Sequence, residues 1–363
     1  MQNPVLKIWA ALLCDYCLEI KAGQSLMLDT STEALPLVRE VHNALLERGA
    51  YPILNLEYPE QPSDFYLHAT DAGLDTVARA DIAQMQAIDA YLAIRASSNS
   101  AALSSVDPEK LSRITRANAA LRKARDGKPW CVTLYPTHAY AQDAGMSLEQ
   151  LEQFMFGAMF LDRPDPVAAW TEINAMQAEL ILKLEQAKTV KLEAKGTDLT
   201  LSVTNRIWRN SDGKRNMPSG EVFTGPLETS ANGTVHFTIP SMVNGVEVSG
   251  VKLEFKNGKV ISASADKGDA YLQRALETDE GSRFLGELGI GTNYGIQRPI
   301  KNILFDEKIG GTVHLALGNS YPETLGTNQS ALHWDLILDM RPSAGGGQIL
   351  LDGTVFSENG KFV

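Results

Sequence analysis

Five short segments in the C-terminal half carry residue types that can hold metal ions. In Ser330–Asp339 (SALHWDLILD), Leu332, Trp334, Leu336 and Leu338 alternate with Ala331, His333, Asp335, Ile337 and Asp339. Side chains two apart on a strand share a face. His333 and Asp335 therefore point the same way, about 7 Å apart along the backbone. An imidazole and a carboxylate converging from one strand make half of a metal site, although a polar face on an amphipathic strand explains the pair as well. Gly310–Gly318 (GGTVHLALG) reads as a second short strand whose one ionisable side chain is His314; a lone histidine in such a setting is structural more often than not. Glu221 lies in GEVFTGP, Glu287 in GELGIGTN and Glu307 in LFDE. Each acid alone reads as surface. The apolar neighbours of Glu287 and Glu307 are unusual company for a merely solvated carboxylate.

These residues need rigid elements beneath them. From about residue 188 onward the chain alternates apolar and polar residues, as in Val190–Ala194, Leu199–Val203, Val235–Ile239 and Val251–Phe255, and Lys256-Asn257-Gly258 is a hairpin signal. An antiparallel, β-rich domain follows from this, interrupted by a helix near 269–277 and a second near 280–286. The first half alternates strands (24–28, 51–56, 88–94, 130–135) with helices (3–20, 33–48, 75–86, 108–125, 148–161, 166–188), which implies a mostly parallel sheet covered on both faces. The expected fold class is an α/β N-terminal domain, residues 1–188, followed by a β-rich α+β domain, residues 189–363, that carries the metal site. Asp107-Pro108 and Asp165-Pro166 are helix starts, and Ser147 with Gln150 is a capping box.

With 363 residues, 44% of them hydrophobic, the chain can bury more than one core. A net charge of −11 argues against a nucleic-acid partner, which would need clustered Lys and Arg. No apolar run approaches a membrane span, and the start does not read as a signal peptide. Cys14, Cys17 and Cys131 are an odd number without a framework, which fits a reducing, cytoplasmic setting. Cys14 and Cys17 lie late in an apolar-periodic helix and read as buried thiols rather than a redox pair. His236 reads as structural. Gly289–Gly295 resembles a phosphate loop only superficially, and Arg298 and Lys301 read as solvated or as anchors for a substrate carboxylate.

In order, GEVFTGP, ELGIGTN, His314–Tyr321 (HLALGNSY) and His333-Trp334-Asp335 resemble the motifs of the M29 metallo-aminopeptidases, the aminopeptidase T and S type. The resemblance runs through the whole chain, with its motifs in the C-terminal half. It implies two divalent metal ions (Zn, Co or Mn), small peptide substrates released one N-terminal residue at a time, and a homodimer formed through the N-terminal domain. By motif, Glu221 matches the first metal glutamate and Glu287 the bridging one. His314, His333 and Asp335 match the remaining ligands and Glu307 a further one, with a longer spacing to His314 than in the family pattern. Tyr321 matches the catalytic tyrosine, and Glu221 or Glu287 would take a proton from the attacking water. The competing reading is a mononuclear non-haem Fe(II) ring-cleaving dioxygenase of the related dihydroxypyridine type, since two His and one carboxylate also form that triad. Those enzymes lack the first glutamate, which this chain keeps as Glu221. A third reading is a metal-stabilised binding protein, whose site would be closed and four-coordinate.

Overall fold

The computed structural model describes residues 4–243 and 245–363, which form two compact units. The first runs to Ala169 and takes in Gly213–Pro218; the second is Trp170–Asp212 with Ser219–Val363. The sequence-based division at 188/189 falls just beyond the helix Pro166–Leu184, whose Leu180 and Leu184 belong to the core of the second unit.

In the first unit, Ser25–Ser31 (β1), Tyr51–Glu57 (β2), Ala90–Arg95 (β3) and Trp130–Leu134 (β4) form a parallel sheet in the order β2-β1-β3-β4, and Asn216–Met217 adds a fifth short strand beside β4. The α/β expectation holds. Strand β3 is buried from Ala90 to Ile94, and β1 buries Leu26, Met27 and Leu28, as a sheet covered on both faces requires. Two helices differ from the periodic reading. The first is α-helical only over Pro4–Leu12 and widens to a π-turn at Leu13–Cys17, which buries Cys14 and Cys17. The 108–125 helix breaks at Asn118 into Pro108–Ala117 and Ala119–Arg125. The Ser147–Gln150 capping box is formed in full, and Asp165 caps the next helix by accepting from the Ala168 N–H at 3.0 Å.

The second unit contains two larger antiparallel sheets. Eight strands lie in the spatial order 259–264, 252–256, 232–236, 197–202, 189–194, 347–351, 354–358 and 361–362. Five more form the sheet that matters for chemistry: Arg209–Ser211 (β5), Glu221–Thr224 (β6), Leu285–Gly291 (β7), Thr312–Gly318 (β8) and His333–Asp339 (β9), in the order β9-β8-β7-β6-β5. Every residue of β7 and β8 is buried. Their apolar side chains, among them Leu288, Ile290, Val313 and Leu315, share one core with Leu192, Leu199 and Phe255 of the eight-stranded sheet. The glycine-rich 289–295 stretch is no loop at its start, because β7 runs through Gly291. The second expected helix shrinks to one 3-10 turn, Glu280–Arg283. The chain must then enter β7, where Gly286 lies against the carbonyls of Gly318 and Asn319 too closely for any Cβ. Among the described residues, no helix is long and apolar enough to cross a membrane.

Candidate metal centre

The sheet register brings the sequence candidates to one face. Glu287 and Asp335 both stand opposite Ala316, His314 stands opposite Gly289, His333 opposite Gly318, and Glu221 opposite Gly291. Directly paired residues on antiparallel strands point to the same side. Four of the ligand candidates' cross-strand neighbours are therefore Gly or Ala, which removes side-chain volume where the polar groups converge. A bulge at Gly286 sets the aim of Glu287.

The polar atoms meet closely. His314 Nε2 lies 3.2 Å from Glu221 Oε2 and 3.5 Å from Glu287 Oε1. His333 Nε2 lies 3.5 Å from Glu287 Oε2 and 3.6 Å from Asp335 Oδ2. These define two groups able to hold a metal ion, Glu221–Glu287–His314 and Glu287–His333–Asp335, and Glu287 belongs to both. The Nδ1 atoms are fixed by backbone: His314 Nδ1 is 3.1 Å from the Glu307 carbonyl and His333 Nδ1 is 2.9 Å from that of Asn319. A carbonyl can only accept, so each Nδ1 carries the proton. Nε2 is left facing the carboxylates, the arrangement metal-bound histidines use.

Burial sharpens the electrostatics. Glu221, Glu287 and His314 are buried, and Asp335 nearly so. Burial and the neighbouring Asp335 and Glu221 raise the Glu287 pKa above the ordinary range, against the opposing pull of His314. Burial would neutralise the His314 imidazolium, yet Glu221 and Glu287 outweigh it and hold its pKa well above the usual value. The same balance, with Asp335 and Glu287, raises that of His333. For Glu221, burial is opposed by Lys308 and His314, which bring the carboxyl down to about 2. Glu221 Oε2 is buried and faces no donor other than His314 Nε2. A buried cluster of carboxylates that draws positive charge onto its imidazoles suits divalent cations, so the donor set fits metal.

Glu307 lies outside both groups. Its carboxylate pairs with Lys308, whose Nζ is also 3.4 Å from Glu221 Oε1 and which has no exposed surface. Burial works against the Lys308 ammonium, but Glu221 and Glu307 hold its pKa above the ordinary lysine value. Tyr321 follows β8; its ring centroid is 5.1 Å from that of His333 and 5.8 Å from that of Phe223. Although the residue is 39% exposed, desolvation of its hydroxyl, then Glu287 and Asp335, push its pKa up, so it stays a donor. Two residues here escaped the sequence reading. Lys308, fully buried, was not singled out by the sequence motifs. Gln177, fully buried on the helix Pro166–Leu184, donates from Nε2 to the carbonyls of Ser211 and Glu221 and to Thr292 Oγ1 at 3.0–3.1 Å, tying together the ends of β5, β6 and β7. His236 packs instead beside Gly196, and Lys301 pairs with Glu247.

The sequence profile of the thermophilic metalloproteases, M29, matches residues 2–362. The chain belongs to this family. It is therefore a metallopeptidase-type hydrolase, and the iron-oxygenase alternative is not favoured. Aminopeptidase 2 of Geobacillus stearothermophilus is 30% identical, covering 95% of this chain and 92% of that protein. Aminopeptidase T of Thermus thermophilus is 30% identical over 65% of this chain and 67% of its own length. The solved structure titled wild-type AmpT from Thermus thermophilus superposes with a TM-score of 0.85 over 99% of each chain at 24% identity, which shows the shared fold.

Proposed function

We propose that the chain is an aminopeptidase whose reaction centre is the shared-carboxylate cluster on β6, β7, β8 and β9. The observation that carries this reading is Glu287: one buried carboxylate placed between two histidines, each completing its own three-residue group. Glu221, Glu287 and His314 would hold one divalent ion, and Glu287, His333 and Asp335 a second. Carboxylate with imidazole suits Zn, Co or Mn. Bound there, such ions supply Lewis acidity toward the scissile carbonyl and an activated water. The protein's own groups do the rest. Glu221 or Glu287 accepts the proton of the attacking water. The Tyr321 hydroxyl, kept protonated beside His333, donates to the oxyanion that develops on the substrate. An acid of the cluster can also receive the free α-ammonium of a small peptide, which would select N-terminal residues.

A cytoplasmic homodimer belongs to the same reading. The three cysteines are free thiols, and the edge strand β2 with the helix after it exposes Tyr51, Leu54, Leu56, Phe65 and Leu67, an apolar surface suited to a second copy. Sedimentation of the wild-type chain checks the dimer.

The test of function is reconstitution. The chelator-stripped protein is assayed on leucyl and other aminoacyl p-nitroanilides, then reloaded with Zn, Co, Mn or Fe(II) while bound metal is counted, with Glu221→Gln in parallel. Hydrolysis returning with close to two ions per chain, and lost in the variant, is the expected result. One Fe(II) per chain with oxygen uptake on dihydroxylated rings and no hydrolysis would refute it.

A further inference from the structure

We infer that Lys308 is a built-in cation that withholds Glu307 from the metal ligand set, so that five side chains rather than six hold the ions. The inference rests on the metal-centre reading above. Four carboxylates, those of Glu221, Glu287, Glu307 and Asp335, crowd one region of the second unit, yet only three of them fall into the two candidate groups. The fourth is committed elsewhere. Glu307 Oε1 pairs directly with Lys308 Nζ, and the ammonium has no route to water because its side chain is fully buried. A buried ammonium is tolerated only where carboxylates surround it, and stripping one away leaves an uncompensated charge. Lys308 is also held by its backbone, whose carbonyl accepts from the Asn293 N–H at 3.0 Å, next to the end of β7. The lysine is thus fixed in place rather than swung in from a surface.

Two consequences follow for the centre. Glu307 contributes to it through its backbone, since its carbonyl orients His314, while its side-chain charge is spent on Lys308. The 3.4 Å approach of Nζ to Glu221 Oε1 also places the Lys308 ammonium beside the first group. That charge weakens ion binding there and leaves coordination positions free for water and peptide. Lys308 is in this sense a positioning residue: it acts on the reaction through Glu307 and Glu221.

Cobalt reports on this without turnover, because Co(II) d–d absorption loses intensity as the coordination number rises. The apo wild-type chain, Glu307→Gln, Lys308→Met and the double variant are titrated with Co(II) under metal buffering. Affinity, stoichiometry and visible spectrum are recorded. The expected results are an unchanged spectrum and two ions per chain for Glu307→Gln, and for Lys308→Met binding at least about tenfold tighter with weaker bands as Glu307 becomes a ligand. The double variant should regain the wild-type spectrum. An altered spectrum or a lost ion in Glu307→Gln, or a wild-type spectrum in Lys308→Met, overturns the inference. The Glu307→Gln arm decides it even if Lys308→Met does not fold. If the wild-type chain itself binds no Co(II), the metal-centre reading has failed, an outcome distinct from any failure of Lys308 alone.

Discussion

Replacing Gly289 with Ala should disable the centre while leaving its polar groups untouched. A Cβ at this position would lie 2.0 Å from His314 Nε2, 2.1 Å from Cε1 and 2.8 Å from Cδ2. Ordinary carbon contacts start near 3.5 Å, so the imidazole must retreat by about 1.5 Å. The Gly289 backbone is not in the left-handed region, so the whole effect is steric. His314 Nε2 sits only 3.2 Å from Glu221, and a catalytic constellation tolerates about 0.5 Å of displacement. Overpacking should cost about 1–3 kcal/mol of stability. Misplacement should lower kcat/KM by at least about 100-fold and weaken ion binding. Thermal unfolding, aminoacyl p-nitroanilide turnover and metal content measured on one preparation check all three. Gly157→Ala is the control, since its added Cβ meets nothing within 4 Å. A Gly289→Ala protein with full metal content and wild-type turnover would show that the His314 ring does not occupy this place.

Glu287→Gln removes the charge common to both groups and should cost both ions rather than one, with activity down more than about 100-fold; atomic absorption after dialysis gives the count. Tyr321→Phe should lower kcat by about 10²–10³ while metal content stays at the wild-type level. Glu228 accepts from the Thr327 N–H and from Arg206, which also holds the Leu325 carbonyl. Glu228→Ala should therefore destabilise the second unit by about 3 kcal/mol, seen as a lowered denaturant midpoint, and loosen the loop that follows Tyr321. All three cysteines are buried, and burial pushes the Cys14 thiol up to about 12; a thiol reagent at pH 8 should find none in the native protein and three after denaturation.

Some of this was readable from local pattern. The period-two alternation around His333 and Asp335 is a property of ten consecutive residues, and it placed both on one face before any partner strand was known. The parallel and antiparallel halves announced themselves in the same way. Register is not local. Nothing near Glu287 says that Ala316 and Asp335 lie across from it, so only the resemblance to a family joined the six candidates. Lys308 and Gln177 were missed because each is polar within a stretch that reads as having a solvated side. Lys308 follows Asp306-Glu307, which disguises it as one of a charged surface run; the only contrary signal is the Ile309-Gly310-Gly311 that comes after it. The glycines of β7 were misjudged for the opposite reason. They resembled a phosphate loop superficially, whereas they are the positions where an imidazole or another backbone needs the room.

The complete burial of β7 and β8 has a kinetic consequence. Amide hydrogens in seven-residue strands with no exposed position exchange with solvent only when the surrounding unit opens as a whole. Glu287 and His314 stand on those strands, so their relative placement cannot fluctuate independently of global unfolding. Sheet pairing therefore brings Glu287 of β7 and His314 of β8 to one face as the strands form. The slowest-exchanging amides of the second unit should be those of Leu288 and Leu315.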